Sequence, residues 1–323
     1  AYPPQPPDLP GPSEYAPGDV LGARYRVRRV HKGGMGLVYI VENPAGSGRG
    51  KPLGLALKTF QNKFLWNEEA NRRFEREAMQ WIEIDLHPHI VFAFLVERIE
   101  GRPYLWLEFV DGESLAERLS RGRLEVLEAV NLALQFSRGM RHAYETRGLI
   151  HRDIKPANCL LDRDGILKIC DFGLSKLRAE MLVRDGESFR SPATSGQAGV
   201  IVGTPAYMPP EAVSDPDGVD IRGDIYSFGI MLHEMLAGRP LFRGPDVLAQ
   251  QIKATPAPPS AAAPDVPKTL DAVVLKCLEK DPEKRFASFA EVEAELTRIG
   301  KGIGGGLPKY ERPVSIPGWG REF

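Results

Sequence analysis

The sequence predicts an α+β fold with two lobes, a small one built on an antiparallel β-sheet with one key helix and a larger one that is mainly helical. β-Rich segments dominate up to about residue 107, interrupted by a single helical segment, and helical periodicity dominates after about residue 112. Strands followed by helices are typical of an α+β protein with a cleft between its two parts. The 323 residues are enough to give both lobes a sizeable core.

Charge and composition exclude several function classes. The 42 lysines and arginines nearly cancel the 43 acidic residues, which leaves a formal net charge of -1 and no broad basic surface for nucleic acid. The longest apolar run, residues 90–96, is far shorter than the ~20 residues needed to cross a bilayer. Three scattered cysteines (Cys159, Cys170 and Cys277) favour reduced thiols, so we expect a cytoplasmic location for this chain, with no membrane segment.

The predicted organisation has three parts. Residues 1–18 are proline-rich and read as a flexible arm, and residues 300–323 read as a tail. Between them lies one domain at 19–299, divided into an N-lobe at about 19–107, a hinge at about 108–112 and a C-lobe at about 113–299. Strands are predicted near 25–30, 37–42, 55–60, 91–96 and 104–107, a helix at 67–84 capped by Asn67, and later helices within 124–146, 225–237, 271–279 and 289–299.

Lys58 lies in an otherwise apolar strand, where strand alternation puts it on the same face as Ala56. The following helix has an apolar stripe of Phe74, Ala78 and Trp81, and Glu77 falls inside that stripe. A carboxylate on a buried face is costly unless it is paired. Lys58 and Glu77 are therefore predicted partners, although two unrelated solvated charges would also fit these two segments alone.

Glycines separate the first two predicted strands in the segment His31-Lys32-Gly33-Gly34-Met35-Gly36. Glycine lets a backbone turn approach a polyphosphate without a Cβ clash. Taken alone, this segment is explained better by an ordinary glycine-containing hairpin turn.

The segment His151-Arg152-Asp153-Ile154-Lys155-Pro156-Ala157-Asn158, followed by Asp171-Phe172-Gly173, carries the strongest signal. Phosphoryl transfer needs positioning, metal ions on the phosphates and a carboxylate that orients the attacking hydroxyl. Asp153 suits the carboxylate, and Lys155 suits neutralisation of the moving γ-phosphoryl group. Asn158 and Asp171 offer the hard oxygen ligands that Mg²⁺ prefers. The pattern predicts a kinase that uses ATP and Mg²⁺.

Together these motifs resemble those of the eukaryotic-type serine/threonine protein kinases. The residues of the glycine segment and of the segment from His151 to Asn158 are similar to those of the bacterial members. The resemblance covers about residues 25–299 and implies the bilobal protein kinase fold and transfer of the γ-phosphoryl group of ATP to Ser/Thr hydroxyls of proteins. It implies catalytic roles for Lys58, Glu77, Asp153 and Lys155 and metal ligation by Asn158 and Asp171. The ATP-binding residues it implies are Val30, His31, Lys32, Gly33, Gly34, Met35, Gly36, Leu37, Val38, Ala56, Lys58, Leu107, Glu108, Val110, Leu160 and Cys170.

Within that set, the resemblance makes Leu107 the gatekeeper, gives Glu108 and Val110 backbone contacts to adenine, and puts Leu160 on the floor of the adenine pocket. It also implies a pair between Glu211 and Arg285, and a buried Asp224 that braces the catalytic loop. Lysine at position 155, two residues after Asp153, is typical of serine/threonine kinases, whereas tyrosine kinases have a different loop there. Thr204 matches the threonine that hydrogen-bonds the catalytic aspartate and lysine.

Arg152 beside Asp153 marks the class that is regulated by phosphorylation of a later loop. Thr194 or Ser195 is the predicted site of autophosphorylation, for which a dimer is one suitable arrangement; hydroxyls in a plain loop are the alternative. His31 replaces the first glycine of the family pattern, which either weakens nucleotide binding or has no consequence. Trp81 is bulkier than the usual residue and could separate Glu77 from Lys58.

Two other functions compete with an active protein kinase. A pseudokinase would be a kinase-shaped binding module, but Lys58, Asp153, Asn158 and Asp171 are all present. A small-molecule kinase is disfavoured by the segment from Gly203 to Glu211, which in the resembled family receives a protein substrate.

Overall fold

A computed structural model describes residues 14–33, 36–42, 54–62, 68–173, 204–216 and 218–304. These residues form two compact units, one from 14–82 with 92–109 and the other from 83–91 with 110–304. Several sequence predictions lie outside the described residues: those for Gly34, Met35, Asn67, Thr194 and Ser195, and those for most of the arm and the tail.

The first unit is built on a six-stranded antiparallel sheet with the order β1-β2-β3-β4-β6-β5. Apolar residues alternate with polar or smaller ones in the strands at Tyr25–Lys32 and Gly54–Phe60, as expected for a sheet with two different faces. The strands are β1 (Val20–Leu21), β2 (Tyr25–Lys32), β3 (Gly36–Glu42), β4 (Gly54–Phe60), β5 (Ala93–Ile99) and β6 (Arg102–Glu108).

One face of this sheet carries a buried hydrophobic cluster. Leu55 and Leu57 of β4 contribute to it together with Tyr39, Tyr104 and Trp106 from the neighbouring strands. Because side chains alternate along a strand, Ala56 and Lys58 point to the other face. The predicted alternation around Lys58 is confirmed.

The helix of the first unit, α1 (Glu68–Ile82), has two glutamates in its first turn, where they complement the partial positive charge of the helix N-terminus. Its buried residues are Ala70, Phe74, Ala78 and Trp81. The predicted apolar stripe is confirmed, and the helix ends two residues earlier than expected.

The second unit is mainly helical. The stacked rings of Phe136 and Phe228, 5.2 Å apart, and the edge of Phe289 form the centre of its core. Its elements are α2 (Leu115–Ser120), α3 (Val126–Arg147), α4 (Ile221–Ala237), α5 (Val247–Lys253), α6 (Lys268–Cys277) and α7 (Phe289–Gly302), with a small sheet of β7 (Gly112–Ser114), β8 (Cys159–Asp162) and β9 (Leu167–Ile169).

The sheet-based first unit and the helical second unit confirm the predicted α+β class. The sequence interpretation missed the three short strands of the second unit, which together contain only ten residues in segments of three or four. Within the described ranges, no helix is both long and apolar enough to span a bilayer. All three cysteines are free thiols, and Cys159 and Cys277 are buried.

Candidate active site

Lys58 occupies the middle of a strand whose register fixes its surroundings. On β4 it lies opposite Val38 of β3 and Leu105 of β6, while Ala56 lies opposite Leu107. Directly opposed residues of antiparallel strands share a face, so these five side chains line the same side of the sheet. Lys58 is only 8% exposed, which places its ammonium group in a largely apolar frame.

The described ends of the glycine segment, Gly33 and Gly36, are hydrogen-bonded to each other, and Gly36 lies beside Lys58. The amide of Gly33 donates to the carbonyl of Gly36 at 2.9 Å, and the Gln61 side chain donates to the carbonyl of Gly33 at 2.7 Å. A Cβ added at Gly36 would lie 3.8 Å from Lys58 Cε, so the end of the turn is in the immediate neighbourhood of the lysine. His31 lies opposite Val38 and is exposed.

Three of the predicted nucleotide-binding residues have side chains on the opposite face of the sheet. Leu37 belongs to the hydrophobic cluster and Val30 packs against it. Lys32 lies opposite Leu37, and its ammonium group pairs with Glu14 at 2.9 Å. Any contact that these three residues make on the Lys58 side of the sheet has to come from their backbone atoms.

Glu77 is half-buried on α1, one residue before the fully buried Ala78. A pair between Glu77 and Lys58 remains a prediction. Glu108 ends β6, and its amide donates to the carbonyl of Phe92 at 2.9 Å. Because this amide is engaged, the predicted backbone contact of Glu108 with adenine would be made by its carbonyl oxygen.

In the second unit, Asp153 is the centre of a dense hydrogen-bond cluster. Lys155 Nζ lies 2.9 Å and 2.8 Å from the two carboxylate oxygens of Asp153 and also donates to Thr204 Oγ1 at 2.9 Å. The Thr204 hydroxyl lies 3.5 Å from Asp153 Oδ1, and Asn158 Nδ2 donates to Asp153 Oδ2 at 3.1 Å. Charge-assisted bonds of this kind fix the orientation of a carboxylate.

Asp224 holds the backbone that carries Asp153. Its two carboxylate oxygens accept the amides of His151 and Arg152 at 2.6 Å and 2.8 Å. Burial raises the pKa of Asp224, and the two amide bonds and the neighbouring His151 act in the opposite direction. Asp224 is 1% exposed at the start of α4, so this brace comes from the core of the unit, as predicted.

Asn158 and Asp171 are the predicted metal ligands. Because Asn158 Nδ2 donates to the backbone and side chain of Asp153, its Oδ1 is the atom that is oriented to ligate a cation. Asp171 has a φ of 70°, in the left-handed region, and Arg152 has a φ of 63°. Such backbone strain costs about 1–3 kcal/mol per residue and is concentrated at functional sites. One amide and one carboxylate oxygen fit the preference of Mg²⁺, which binds few protein ligands and completes its shell with phosphate and water oxygens.

Comparison with known proteins agrees with this geometry. Residues 26–295 match the protein kinase domain family. The chain belongs to that family.

Among the curated relatives of the kinase domain are bacterial serine/threonine-protein kinases. Pkn1 of Myxococcus xanthus is 36% identical over 312 residues, which cover 90% of this chain and 41% of Pkn1. PknB of Mycobacterium tuberculosis is 34% identical over 245 residues, which cover 73% of this chain and 37% of PknB. The chain thus spans about two fifths of the length of these relatives.

Among solved structures, the PknI kinase domain of Mycobacterium tuberculosis matches with a TM-score of 0.62 and 26% identity, over 88% of this chain and 100% of that one. Together with the relatives, this match identifies the chain as a serine/threonine-type protein kinase domain.

The remaining predicted residues of the kinase domain occupy the second unit. Leu160 on β8, Val110 and Cys170 are half-buried. The Cys170 carbonyl lies 2.9 Å from His151 Nε2, which fixes the backbone just before Asp171. The Nε of Arg152 is buried and has no hydrogen-bond partner within the described part of the chain.

The predicted pair of Glu211 and Arg285 is present, with Nη to Oε distances of 2.6 Å and 2.8 Å. The Arg285 side chain is fully buried, and its guanidinium also donates to the carbonyls of Arg222 and Glu279. A buried guanidinium needs this full set of partners because leaving it unpaired would be costly.

Sequence reasoning missed the residues that anchor the segment containing Thr204. Tyr207 donates to Glu234 of α4, and Gln251 of α5 donates to the carbonyl of Ala206 at 2.7 Å. These partners lie 27 and 45 residues away along the chain, and glutamate and glutamine on helices are ordinary surface residues, so no sequence signal identifies them.

Proposed function

We propose that this kinase domain transfers the γ-phosphoryl group of ATP to serine and threonine hydroxyls of proteins, with Mg²⁺ as its metal ion. The observation that carries the proposal is the cluster of Asp153, Lys155 and Thr204, in which one lysine bridges a carboxylate and a hydroxyl at 2.8–2.9 Å. The carboxylate is thereby held in one orientation before any substrate arrives.

In the proposed reaction, the substrate hydroxyl donates a hydrogen bond to Asp153. As its oxygen forms a bond to the γ-phosphorus, the bond from that phosphorus to the β,γ-bridging oxygen breaks and ADP leaves. Asp153 takes the hydroxyl proton, and Lys155 lies 2.8 Å from Asp153, where it balances the negative charge of the moving group. Thr204 positions Lys155 and does not touch the reacting atoms.

Asn158 and Asp171 would hold the metal ion, which when bound neutralises the charge of the phosphate oxygens. Asp153 orients Asn158 through the bonds to Nδ2, so the same cluster that positions the carboxylate also positions one ligand. Magnesium is preferred over softer metals because the proposed ligands are oxygens only.

Lys58 would bind the α- and β-phosphates, and Ala56 would leave room for the flat adenine ring beside it. The 8% exposure of Lys58 supports this role, because an ammonium group in an apolar frame interacts strongly with an anion. Glu77 as its partner, Leu107 as gatekeeper and the carbonyl of Glu108 as the adenine contact belong to the same proposal.

Autophosphorylation at Thr194 or Ser195 is the regulatory part of the proposal. The buried Nε of Arg152, which has no hydrogen-bond partner among the described residues, supports it, since a phosphate group supplies acceptors for such an atom. Mass spectrometry after incubation with ATP should find phosphate between residues 175 and 204, and a complete lack of it there would contradict this part. The dimer that would suit this reaction, the cytoplasmic location and the lack of nucleic-acid binding remain predictions.

A labelled-ATP assay tests the main proposal. The wild-type chain should label a generic basic protein at serine or threonine when Mg²⁺ is present, as phosphoamino-acid analysis of the product would show. Asp153→Asn, which keeps the size of the side chain, should give no label above background. Labelling of tyrosine, or equal labelling by the two proteins, would contradict the proposal.

A further inference from the structure

A cavity of about 270 Å³ lies in the second unit, between the last turns of α4, the middle of α5 and the loops that follow these two helices. Its lining includes His233 of α4, the loop residues Arg239 and Arg243, Gln250 of α5, and the apolar residues Leu241 and Pro258. The residues proposed above for catalysis do not contribute to its lining. The cavity is therefore a separate site.

The loop that carries the two arginines is fixed by Gln250. The amide of Arg243 donates to Gln250 Oε1 at 3.3 Å, and Gln250 Nε2 donates back to the carbonyl of Arg243 at 2.6 Å. Arg243 Nε also donates to the carbonyl of Pro240 at 3.2 Å. The guanidinium of Arg243 is thus held by the backbone of its own loop.

Neither arginine is neutralised within the described part of the chain. Arg239 and Arg243 are exposed, and neither forms an ion pair with another described residue. Arg243 acts electrostatically on Glu234, but the carboxylate of Glu234 is engaged by the Tyr207 hydroxyl. The cavity therefore offers two positive charges, and none of its lining residues is acidic.

His233 adds hydrogen-bonding capacity to the wall without adding charge. Its side chain is buried, with 4% exposed, and its Nδ1 has no hydrogen-bond partner among the described residues. Burial, helped by the positive charge of Arg239, lowers the pKa of His233 to about 4. At neutral pH the imidazole is uncharged, so the positive charge of this site comes from the two arginines.

The size of the cavity limits what it can accept. Sites for whole cofactors or drug-sized ligands enclose about 300–1,000 Å³, so a cavity of about 270 Å³ suits a single side chain or a group of similar size. Its apolar walls suit the methylene groups of such a side chain, and the planar guanidinium groups suit a carboxylate.

We propose that this cavity binds a glutamate or aspartate side chain of an acidic peptide segment in a protein partner. The position of the cavity favours a protein as the source of the carboxylate. Gln250 in its lining is followed by Gln251, which holds the segment that carries Thr204, and His233 is followed by Glu234, which holds Tyr207 of the same segment. A partner anchored here would lie beside the segment of Thr204, to which the family resemblance gives the role of receiving a protein substrate; to this extent the inference rests on the proposed function.

Titration of the full chain, labelled with ¹⁵N in its arginines, tests this binding without using catalysis. The probe is a blocked pentapeptide with glutamate at its centre and alanine at the other positions, and the matched peptide carries glutamine instead. The Nε–H signals of Arg239 and Arg243, assigned from R239Q and R243Q, should shift in a saturable way with the glutamate peptide only. Backbone amide signals of uniformly ¹⁵N-labelled protein, which do not depend on the two arginine side chains, report binding by the double variant R239Q/R243Q. Because exposed ion pairs contribute little each, this variant should bind the glutamate peptide roughly tenfold more weakly.

The control variant is R298Q, because Arg298 is an exposed arginine of α7 that pairs with Glu295 and does not line the cavity. R298Q should bind the glutamate peptide like the wild type, and thermal unfolding should show that all the variants remain folded. No saturable shift, equal shifts with the glutamine peptide, or unchanged binding by the folded double variant would overturn the proposal. Tighter binding of inorganic phosphate to the same signals would overturn it in favour of a phosphate site. None of these results depends on whether the chain transfers phosphate.

Discussion

Lys58 in the first unit and Asp153 in the second are equally buried, each with 8% of its surface exposed, but they are positioned in different ways. Lys58 is positioned by strand register, with Val38 and Leu105 opposite it on the neighbouring strands. Asp153 is positioned by hydrogen bonds from Lys155 and Asn158 and by a brace from Asp224 behind the loop.

The difference shows what each kind of framework provides. A sheet fixes the direction in which a side chain leaves the backbone, so strand register sets the face on which Lys58 lies. A polar network fixes the functional atoms themselves, which a base needs because its distance to the substrate hydroxyl decides the rate.

Glu211→Gln should have the largest effect on stability. It leaves the fully buried guanidinium of Arg285 without its counter-charge, and breaking such a pair costs about 3–5 kcal/mol. Urea unfolding should show this loss in the second unit, whereas Glu14→Gln, which removes the exposed pair with Lys32 in the first unit, should cost less than about 1 kcal/mol. Equal losses of unfolding free energy in the two variants would contradict a stabilising role for the buried pair of Glu211 and Arg285 in the second unit.

Lys58→Met should lower kcat/KM by about 10²–10³-fold, because it removes a charge that stabilises the phosphates in a site of low polarity. The fold should persist, since methionine has an apolar stem of similar length and the surrounding face of the sheet is apolar. Lys32→Met is the matched control in the same sheet, as Lys32 is exposed and its side chain lies on the other face. Steady-state kinetics and thermal unfolding of both variants check this prediction.

Thr204→Val should lower kcat by about tenfold and leave KM for ATP nearly unchanged, because it removes the hydroxyl that holds Lys155 beside Asp153. Thr204→Ser retains that hydroxyl and should keep most of the activity. If valine and serine gave the same rate, the hydroxyl would not be part of the positioning network.

Acidification should destabilise the second unit first. Burial lowers the pKa of His89 and of His233 to about 4, below the 6.5 of an unfolded histidine. The unfolded state therefore binds more protons between these pH values, and the free energy of unfolding should fall as the pH drops from about 6.5 to about 4, by at most about 3 kcal/mol per histidine. Hydrogen exchange at pH 7 and pH 5 should report faster opening in the second unit than in the first, whose single histidine, His31, is exposed. Equal acceleration in both units would contradict this expectation.

The sequence predicted those features that depend on local spacing. Strand alternation placed Lys58 on the correct face of the sheet, and helical periodicity predicted the buried stripe that includes Phe74 and Trp81. Asp153 and Asn158 are close in sequence, so their grouping in one cluster could be predicted from their spacing. The resemblance supplied the pairs of distant residues, such as Glu211 and Arg285, which spacing alone does not reveal.

Features that depend on tertiary contacts were beyond sequence reasoning. The side chains of Val30 and Leu37 lie on the hydrophobic cluster because the register of β2 and β3 directs them there, and no single-strand pattern fixes that register. The anchors of the Thr204 segment and the two-arginine cavity arise where α4 and α5 meet loops from elsewhere in the chain.

The most direct test of the account is a double-mutant cycle on Asp153 and Thr204, measured as single-turnover phosphoryl transfer. Asp153→Asn alone should reduce the rate by about 10³-fold and Thr204→Val alone by about tenfold. If the two residues act through one hydrogen-bonded cluster, the double variant should be no slower than Asp153→Asn within about twofold. Multiplication of the two effects would show that Thr204 does not act through Asp153, and would contradict the account.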